Sequence, residues 1–203
     1  MTNHDRRSAG ARAAGIALAV AACFGLGPTL AAQPASGATT APVASAAADA
    51  APKATPALRS AAERGDPDAQ FDLAMAHACG RGTRRDLKAA VPWLRKAADQ
   101  GHVRAKSVLG WMHMAGQGVG RDSARALALL TEAAQGGDVT AQNNLGVMYA
   151  QGIGVPPDKG EAEKWFRRAA DQGAPDAARN LGLLRDGRDR TARPTDAVPK
   201  PRT

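Results

Sequence analysis

Residues 141–173 read AQNNLGVMYAQGIGVPPDKGEAEKWFRRAADQG, and the residue types of this stretch recur along the chain every 36 residues. The interval separates equivalent small, apolar and cap-forming residues: Ala61, Ala97, Ala133 and Ala169; Ala69, Ala105, Ala141 and Ala177; Leu73, Leu109, Leu145 and Leu181; Gly65, Gly101, Gly137 and Gly173; Gly80/Gly82, Gly116/Gly118 and Gly152/Gly154; and Asp86, Asp122 and Asp158. A constant interval shared by so many positions is typical of a repeat protein.

The first part of each unit has the pattern of an amphipathic helix. In the first unit this part spans Pro67–Cys79 and carries small or apolar residues at helical spacing, which are Ala69, Leu73 and Ala76. Asp66 stands before it as an N-cap residue, and the fixed φ of a proline suits the first helical turn. Gly80 is placed to end the helix, because glycine adopts the left-handed conformation without steric cost.

The second part of each unit predicts another helix, which begins near Asp86 and ends at Gly101 in the first unit. Its inward-facing residues are Leu87, Ala90, Val91, Leu94, Ala97 and Ala98. Pro92 falls inside this helix, where it removes a hydrogen bond and crowds the preceding turn, so we expect a kink or a helix that starts late. Ala128 and Lys164 hold this position in the later units and fit a helix.

Together these patterns predict an all-α fold, an α/α superhelical repeat solenoid of antiparallel helix pairs with a 36-residue period. The repeats cover residues 58–184, as full units at 61–96, 97–132 and 133–168 and a half-repeat at 169–184. We expect the Ala/Pro-rich linker over residues 33–57 and the basic tail over residues 185–203 to be disordered. Their composition cannot bury enough apolar surface to offset the entropy of ordering them.

Residues 1–32 have the parts of a secretory signal peptide. Basic residues precede an apolar run over residues 13–26, a Gly-Pro pair breaks that run, and small residues follow. We therefore expect export to the periplasm or the cell envelope. Two alternatives stay open. In the first, the segment stays uncleaved and anchors the protein in the membrane. In the second, the lipobox-like stretch Val20-Ala21-Ala22-Cys23 directs lipidation at Cys23. In both, the protein contacts a membrane only through this leader.

The net charge of +8 comes from the ends of the chain. Residues 61–184 hold 16 basic and 14 acidic residues, whereas the tail over residues 185–203 holds six basic and three acidic ones. Aromatic residues, on which bases could stack, make up 3% of the chain. A repeat region without a basic stripe argues against nucleic acid as the partner.

A catalytic site would need a nucleophile beside a base, or a pair of carboxylates, and the sequence shows neither at persuasive spacing. We therefore predict that the protein is not an enzyme and binds no cofactor. The alternative is a secreted hydrolase acting on the cell wall or on β-lactam-like substrates. His77 and His113 stand 36 residues apart and Tyr149 continues their column. A metal would need a third ligand beside them, so we interpret the column as packing.

Other charged residues have structural explanations. The repeated aspartates, Asp86, Asp122 and Asp158, are expected to cap second helices. A basic cluster lies in the first unit, at Arg81, Arg84, Arg85 and Lys88. We interpret it as a solvated loop, with docking of an acidic partner as the alternative.

The third unit resembles the Sel1-like repeat (SLR), a relative of the tetratricopeptide repeat. The matching residues are Ala141 to Tyr149, the loop Gly152-Ile153-Gly154-Val155, Asp158, Ala162, Trp165, Ala169-Ala170 and Gly173. The first two units depart from the pattern at His77, Thr83, Pro92 and Leu129, which are packing changes. The resemblance implies a helical adaptor that holds protein partners, often in the bacterial envelope or in secretion.

We predict that a protein or peptide partner binds in the groove lined by the first helices of the units. The polar residues expected to face it are Gln70, His77, Lys106, His113, Gln142, Asn143 and Tyr149. Neighbouring amides can hydrogen-bond an extended backbone, and rigid helices hold those amides in place before binding.

Overall fold

The computed structural model describes residues 52–191, and this part of the chain is helical without a strand. Its eight helices are α1 (Pro56–Glu63), α2 (Pro67–Cys79), α3 (Leu87–Asp99), α4 (Val103–Ala115), α5 (Ser123–Gln135), α6 (Val139–Gln151), α7 (Lys159–Asp171) and α8 (Pro175–Thr191). The predicted signal peptide and lipidation site lie outside the described residues. Within the described residues, no helix has the length and apolar character needed to cross a membrane.

Each helix packs against its neighbours in the chain, and the helices pair as α2/α3, α4/α5 and α6/α7. Further contacts join α4 to α6 and α6 to α8, which are first helices of successive pairs. Alanines and leucines at the repeated positions fill the core, and Leu73, Leu145 and Ala105 are fully buried. The predicted all-α solenoid of helix pairs is confirmed.

The repeated aspartates and glycines begin and end the helices as expected. Asp86, Asp122 and Asp158 each accept the backbone N–H three residues later at 3.0 Å, which satisfies a free donor of α3, α5 and α7. The first helices end at glycines with positive φ, at Gly80 (73°), Gly116 (72°) and Gly152 (72°). Helix α3 begins at Leu87, directly after its Asp86 cap, so the expected late start caused by Pro92 is wrong. The kink stays a prediction.

The second glycine of each loop sets how closely successive units stack. A Cβ on Gly154 would lie 2.9 Å from the backbone oxygen of Ser123, the first residue of the preceding second helix. Gly118 is placed in the same way against Leu87, and Gly82 against Ala54. Ala54 therefore lies where a preceding second helix would begin.

Helix α1 starts inside the segment predicted as linker, which corrects that boundary. Thr55 caps the helix by accepting the N–H of Leu58 at 3.2 Å, and Pro56 suits its first turn. The backbone N–H of Ala54 also donates to the carbonyl of Arg81 at 2.8 Å. Short as it is, α1 serves as the second helix of an incomplete unit in front of the first full repeat.

Helix α8 continues through Thr191, beyond Leu184, where the half-repeat was predicted to end. The earlier first helices stop after 13 residues at a left-handed glycine. Position 188, one repeat after Gly152, carries arginine instead. Without a residue that favours the left-handed conformation, the helix continues into the segment predicted as tail.

Candidate interaction surface

Two of the predicted groove residues, Gln70 and Gln142, lie in the interior at 4% exposure each. The Gln142 amide donates to the carbonyl of Ala134 at 3.2 Å and accepts from the Gln172 amide at 2.7 Å. Gln70, two units earlier, makes the same two kinds of bond: it donates to the carbonyl of Ala62 at 3.1 Å and accepts from the Gln100 amide at 2.8 Å. Both glutamines therefore tie helices together and are not available to a partner.

Three further groove candidates face second helices or their loops. Lys106 of α4 forms an ion pair with Glu132 of α5. His113 is 5% exposed, and its Nδ1 lies 3.3 Å from the carbonyl oxygen of Gly120 in the loop that follows α4. His77 is half-buried at the equivalent position, and burial lowers its pKa, with Arg59 lowering it further.

Tyr149 continues this column, half-buried against the core. Within the described residues, no three potential metal ligands of the His, Cys, Asp and Glu types cluster together. The backbone carbonyls of this column accept the N–H groups of the caps that begin the second helices, at 2.9–3.0 Å, and so join each first helix to its own loop.

Asn143 is the predicted residue that does lie where first helices meet. Its side-chain oxygen accepts from the Asn180 amide of α8 at 3.0 Å. Other polar contacts join the earlier first helices: His102 lies 3.1 Å from Asp68, and the Ser107 hydroxyl donates to Asp138 at 2.7 Å. We call this polar line across the first helices the inner row. Its members are Asp68, Asp72, Arg104, Ser107, Asn143, Asn144 and Asn180.

The charged end of the inner row lies between α2 and α4. The Arg104 guanidinium stacks over the Phe71 ring, 4.6 Å from its centroid, and one of its nitrogens, Nη2, is buried without a hydrogen-bond partner among the described residues. Burial lowers the pKa of Arg104, and Asp72 opposes the shift. Burial likewise raises the pKa of Asp72, against the attraction of Arg104. These groups are costly to bury and are held by their mutual attraction.

An apolar column runs beside the inner row at positions 36 residues apart. Met75 is 1% exposed and Trp111 7%, Val147 is half-buried, and Leu183 is 54% exposed. Successive first helices contact one another where α4 meets α6 and where α6 meets α8. Exposure rises towards the C-terminal end, where Val147 and Leu183 lie beside the amides of Asn143, Asn144 and Asn180.

The groove residues predicted from the sequence do not include Asp72, Arg104, Asn144 and Asn180, although the sequence holds a signal for them. Core positions such as those of Ala69 and Leu73 repeat the same residue type in every unit, whereas the inner-row positions differ. One such position is Asp72, Val108, Asn144 and Asn180 in successive units. A position that packing does not constrain to one residue type is a better candidate for a partner contact than a repeated one.

An arrangement of His102, Asp68, Ser107 and Asp138 superficially resembles the parts of a hydrolytic site. Both nitrogens of His102 are occupied, however, since Nδ1 accepts from the Ala105 N–H at 3.0 Å and Nε2 faces Asp68. Ser107 donates to Asp138, which also caps α6 through Ala141 at 2.7 Å. These residues make helix caps and helix-to-helix bonds, and His102 has no free nitrogen with which to activate the serine.

A separate open cleft of 530 Å³ lies between α3 and the loop before α5. Basic side chains line it, namely Lys88, Arg95, Arg121 and Arg125, with Asp122 as the one acid among its described lining residues. Of the basic cluster noted in the sequence, Lys88 contributes to this cleft, whereas Arg85 donates to the carbonyl of Ala78 at 3.2 Å. The cleft gives the first two units a local positive potential.

A known family of repeats matches the chain with the same 36-residue interval. The Sel1 repeat model matches three consecutive segments, residues 67–102, 103–138 and 139–173. Each matched segment begins at the start of a first helix. No curated protein matches the chain.

Two solved structures are similar over most of the repeat region. One is a protective antigen of uropathogenic Escherichia coli strains that displays an SLR fold, with 43% identity, a TM-score of 0.60, and 63% of this chain and 27% of that chain covered. The other is a Sel1 repeat protein from Oxalobacter formigenes, with 39% identity, a TM-score of 0.57, and 63% and 96% covered. This chain thus spans about a quarter of the length of the antigen.

Proposed function

Because the chain belongs to the Sel1 repeat family, whose repeats are helical protein-interaction scaffolds, we propose that it is an exported scaffold that holds a protein partner along the inner row. The partner contributes an extended segment that lies across α6 and α8. The protein performs no catalysis itself and binds the partner without a cofactor.

The observation that carries this proposal is the contrast between the core positions of Ala69 and Leu73, which repeat in every unit, and the inner-row positions, which vary. Where α6 meets α8, the amides of Asn143, Asn144 and Asn180 lie beside the apolar side chains of Val147 and Leu183. Amides can bond the backbone of an extended segment, and apolar side chains can cover its alternate residues. Because rigid helices carry these groups, little side-chain order is lost on binding.

Export is supported by the leader sequence. A basic start, an apolar run over residues 13–26 and small residues at Ala31 and Ala32 are the features read by secretory machinery. The partner is therefore expected in the periplasm or the envelope. Mass spectrometry of the mature N-terminus tests this part: an intact Met1 contradicts cleavage, and a lipid mass on Cys23 assigns the lipoprotein alternative.

Site-specific crosslinking tests the binding surface. A photoreactive phenylalanine analogue is placed at Val147 on the inner side of α6, or at the exposed Ala128 on the outer side of α5 as the matched control. In the native cell we expect a defined protein adduct from the first position and none from the second. Equal labelling at both positions, or an adduct from the control alone, contradicts the inner row as the binding surface.

A further inference from the structure

The two ends of the helix stack are incomplete in complementary ways. Within residues 52–191, no first helix precedes α1, which packs as a second helix, and no second helix follows α8, which packs as a first helix. In the full units, first and second helices bury one another. Each end therefore presents the face that its missing partner would cover.

The open face of α8 is visible at its central glycine. A Cβ on Gly146 of α6 would lie 2.6 Å from the ring of Phe166, because α7 packs directly on that glycine. At the equivalent Gly182 of α8, no described atom lies within 4 Å of such a Cβ. Leu181 is partly exposed although its equivalent, Leu145, is fully buried. Leu183, next to the glycine, is 54% exposed.

The open face of α1 is visible at Leu58, which stands 36 residues before Leu94. Leu94, Leu130 and Phe166 fill the centre of the second helices, and all three are buried. Leu58 packs against the cluster of Ala62, Ala69 and Leu73 on one side, yet it remains partly exposed. The leucine that closes the first two full units is therefore present at the N-terminal end as well, where the described residues hold no first helix for it to cover.

Neither missing helix is predicted from the chain's own sequence. One repeat before α2, a first helix would span residues 31–43, a segment that contains Pro34, Gly37 and Pro42. One repeat after α7, a second helix would begin at residue 195 and meet Pro199 and Pro201 in its interior. Proline inside a helix costs about 3 kcal/mol or more, so neither segment favours the helix its position would need.

We propose that the occupant of each open face is a second copy of this chain, in head-to-tail order. Helix α1 of one copy packs on α8 of another, with Leu58 over Gly182 as Phe166 lies over Gly146. The following α2 then covers Leu183 in the way that the next first helix covers its predecessor within the chain. The junction completes one repeat from two half-units and continues an interface that the chain already makes three times.

The association is heterologous, since the two surfaces are different. Such contacts build open chains, or rings where the rotation between copies closes, rather than two-fold dimers. This inference goes beyond the proposed function and does not rest on it. The two surfaces share Leu183, whereas Gly182 and Leu58 lie apart from the crosslinking site at Val147. Self-association without partner crosslinking, or the reverse, would separate the two.

Sedimentation velocity of the full chain over a concentration series tests the proposal. The expected weight-average mass rises from the monomer mass of 20.8 kDa without a plateau at the dimer. Gly182→Arg should hold the mass at that of the monomer, because the side chain occupies space that is open in the monomer and would block α1 of the next copy. Leu58→Arg should do the same from the other end.

Mixing the two variants provides the decisive measurement. Gly182→Arg keeps an intact α1 and Leu58→Arg keeps an intact α8, so an equal mixture should form a species of twice the monomer mass and nothing larger. The expectation holds even if Leu58→Arg loosens its own α1, because that helix is not used in the mixed pair. Circular dichroism of each variant checks that the remaining helices are retained.

Several outcomes overturn the proposal. A wild-type mass that stays at the monomer value at every concentration contradicts self-association. Association that survives in both single variants assigns the contact to another part of the chain, and a mixture that remains monomeric excludes the head-to-tail pairing. Association that appears only after residues 192–203 are deleted would show that the chain's own terminal segment covers α8.

Discussion

The Nε2 atom of His102 lies 3.1 Å from a carboxylate oxygen of Asp68, and this contact joins the start of α4 to α2. The other ring nitrogen, Nδ1, accepts the backbone N–H of Ala105 at 3.0 Å, which makes His102 the N-cap residue of α4. Nδ1 accepts only when it carries no proton, so the proton of the neutral ring is assigned to Nε2. The imidazole thus takes the cap position that Asp66 and Asp138 hold in neighbouring units.

This arrangement predicts a loss of stability in mild acid. Burial lowers the pKa of His102 below its usual 6.5, against the attraction of Asp68, so the folded protein binds the proton less readily than the unfolded chain. Protonation also removes the cap acceptor and places a cation at a helix N-terminus. The contribution is fully present above pH 6.5 and is lost as the pH falls from there towards the lowered folded value.

Urea unfolding between about pH 8 and about pH 5 measures this effect. The variant His102→Asn supplies a cap acceptor that does not titrate, so its unfolding free energy should fall less across the window. His77, whose pKa burial also lowers, accounts for a residual slope in both proteins. Identical slopes for wild type and variant would rule out His102 as the source.

The buried glutamines should contribute to the free energy of unfolding rather than to the binding of a partner. Gln142→Leu removes bonds to Ala134 and Gln172 at a site that is 4% exposed, so we expect a loss of about 1–3 kcal/mol in the free energy of unfolding. Gln70→Leu should cost a similar amount, because its bonds repeat the same geometry. Thr140→Ala on the exposed side of α6 is the control. A loss no greater than the control's would contradict the structural role.

The contrast between these glutamines and Asn143 shows how far the sequence predicts the site. Successive residues of an α-helix point about 100° apart, so Gln142 and its neighbour Asn143 face different surroundings. The spacing of alanines and leucines identified the buried side of each helix, because packing keeps those residue types at the closest contacts in every unit. That spacing did not distinguish the side of the helix with Gln142, which bonds a carbonyl group of the preceding unit, from the side with Asn143, which belongs to the inner row.

The ends of the fold were also beyond the repeat pattern. Helix α1 depends on Thr55, Pro56 and a backbone bond from Ala54 to Arg81, none of which belongs to the 36-residue signature. Helix α8 is extended because the terminating glycine is missing. Both features follow from local backbone chemistry at positions where the periodicity stops, so a prediction based on the repeat places those boundaries too close to the centre.

Pro92 predicts a stabilising substitution. It lies in the interior of α3, exposed to solvent, where it donates no backbone hydrogen bond to the preceding turn. Pro92→Ala should raise the free energy of unfolding by about 1–3 kcal/mol, because the bond is restored and no buried contact is lost. The reverse change at the equivalent site, Ala128→Pro, should destabilise α5. Chemical denaturation of both variants decides the matter, and a destabilised Pro92→Ala protein would show that the proline serves a packing role.

The same substitution at two equivalent glycines should have opposite effects. Gly146→Ala places a methyl group 2.6 Å from the ring of Phe166, and overpacking of this kind costs about 1–3 kcal/mol. Gly182→Ala meets no described atom within 4 Å and replaces glycine with a better helix former, which should add up to about 1 kcal/mol. Unfolding measured at high dilution keeps any contact between copies out of the comparison. A loss of similar size at both positions would mean that α8 is packed as tightly as α6, which would contradict an open face on α8.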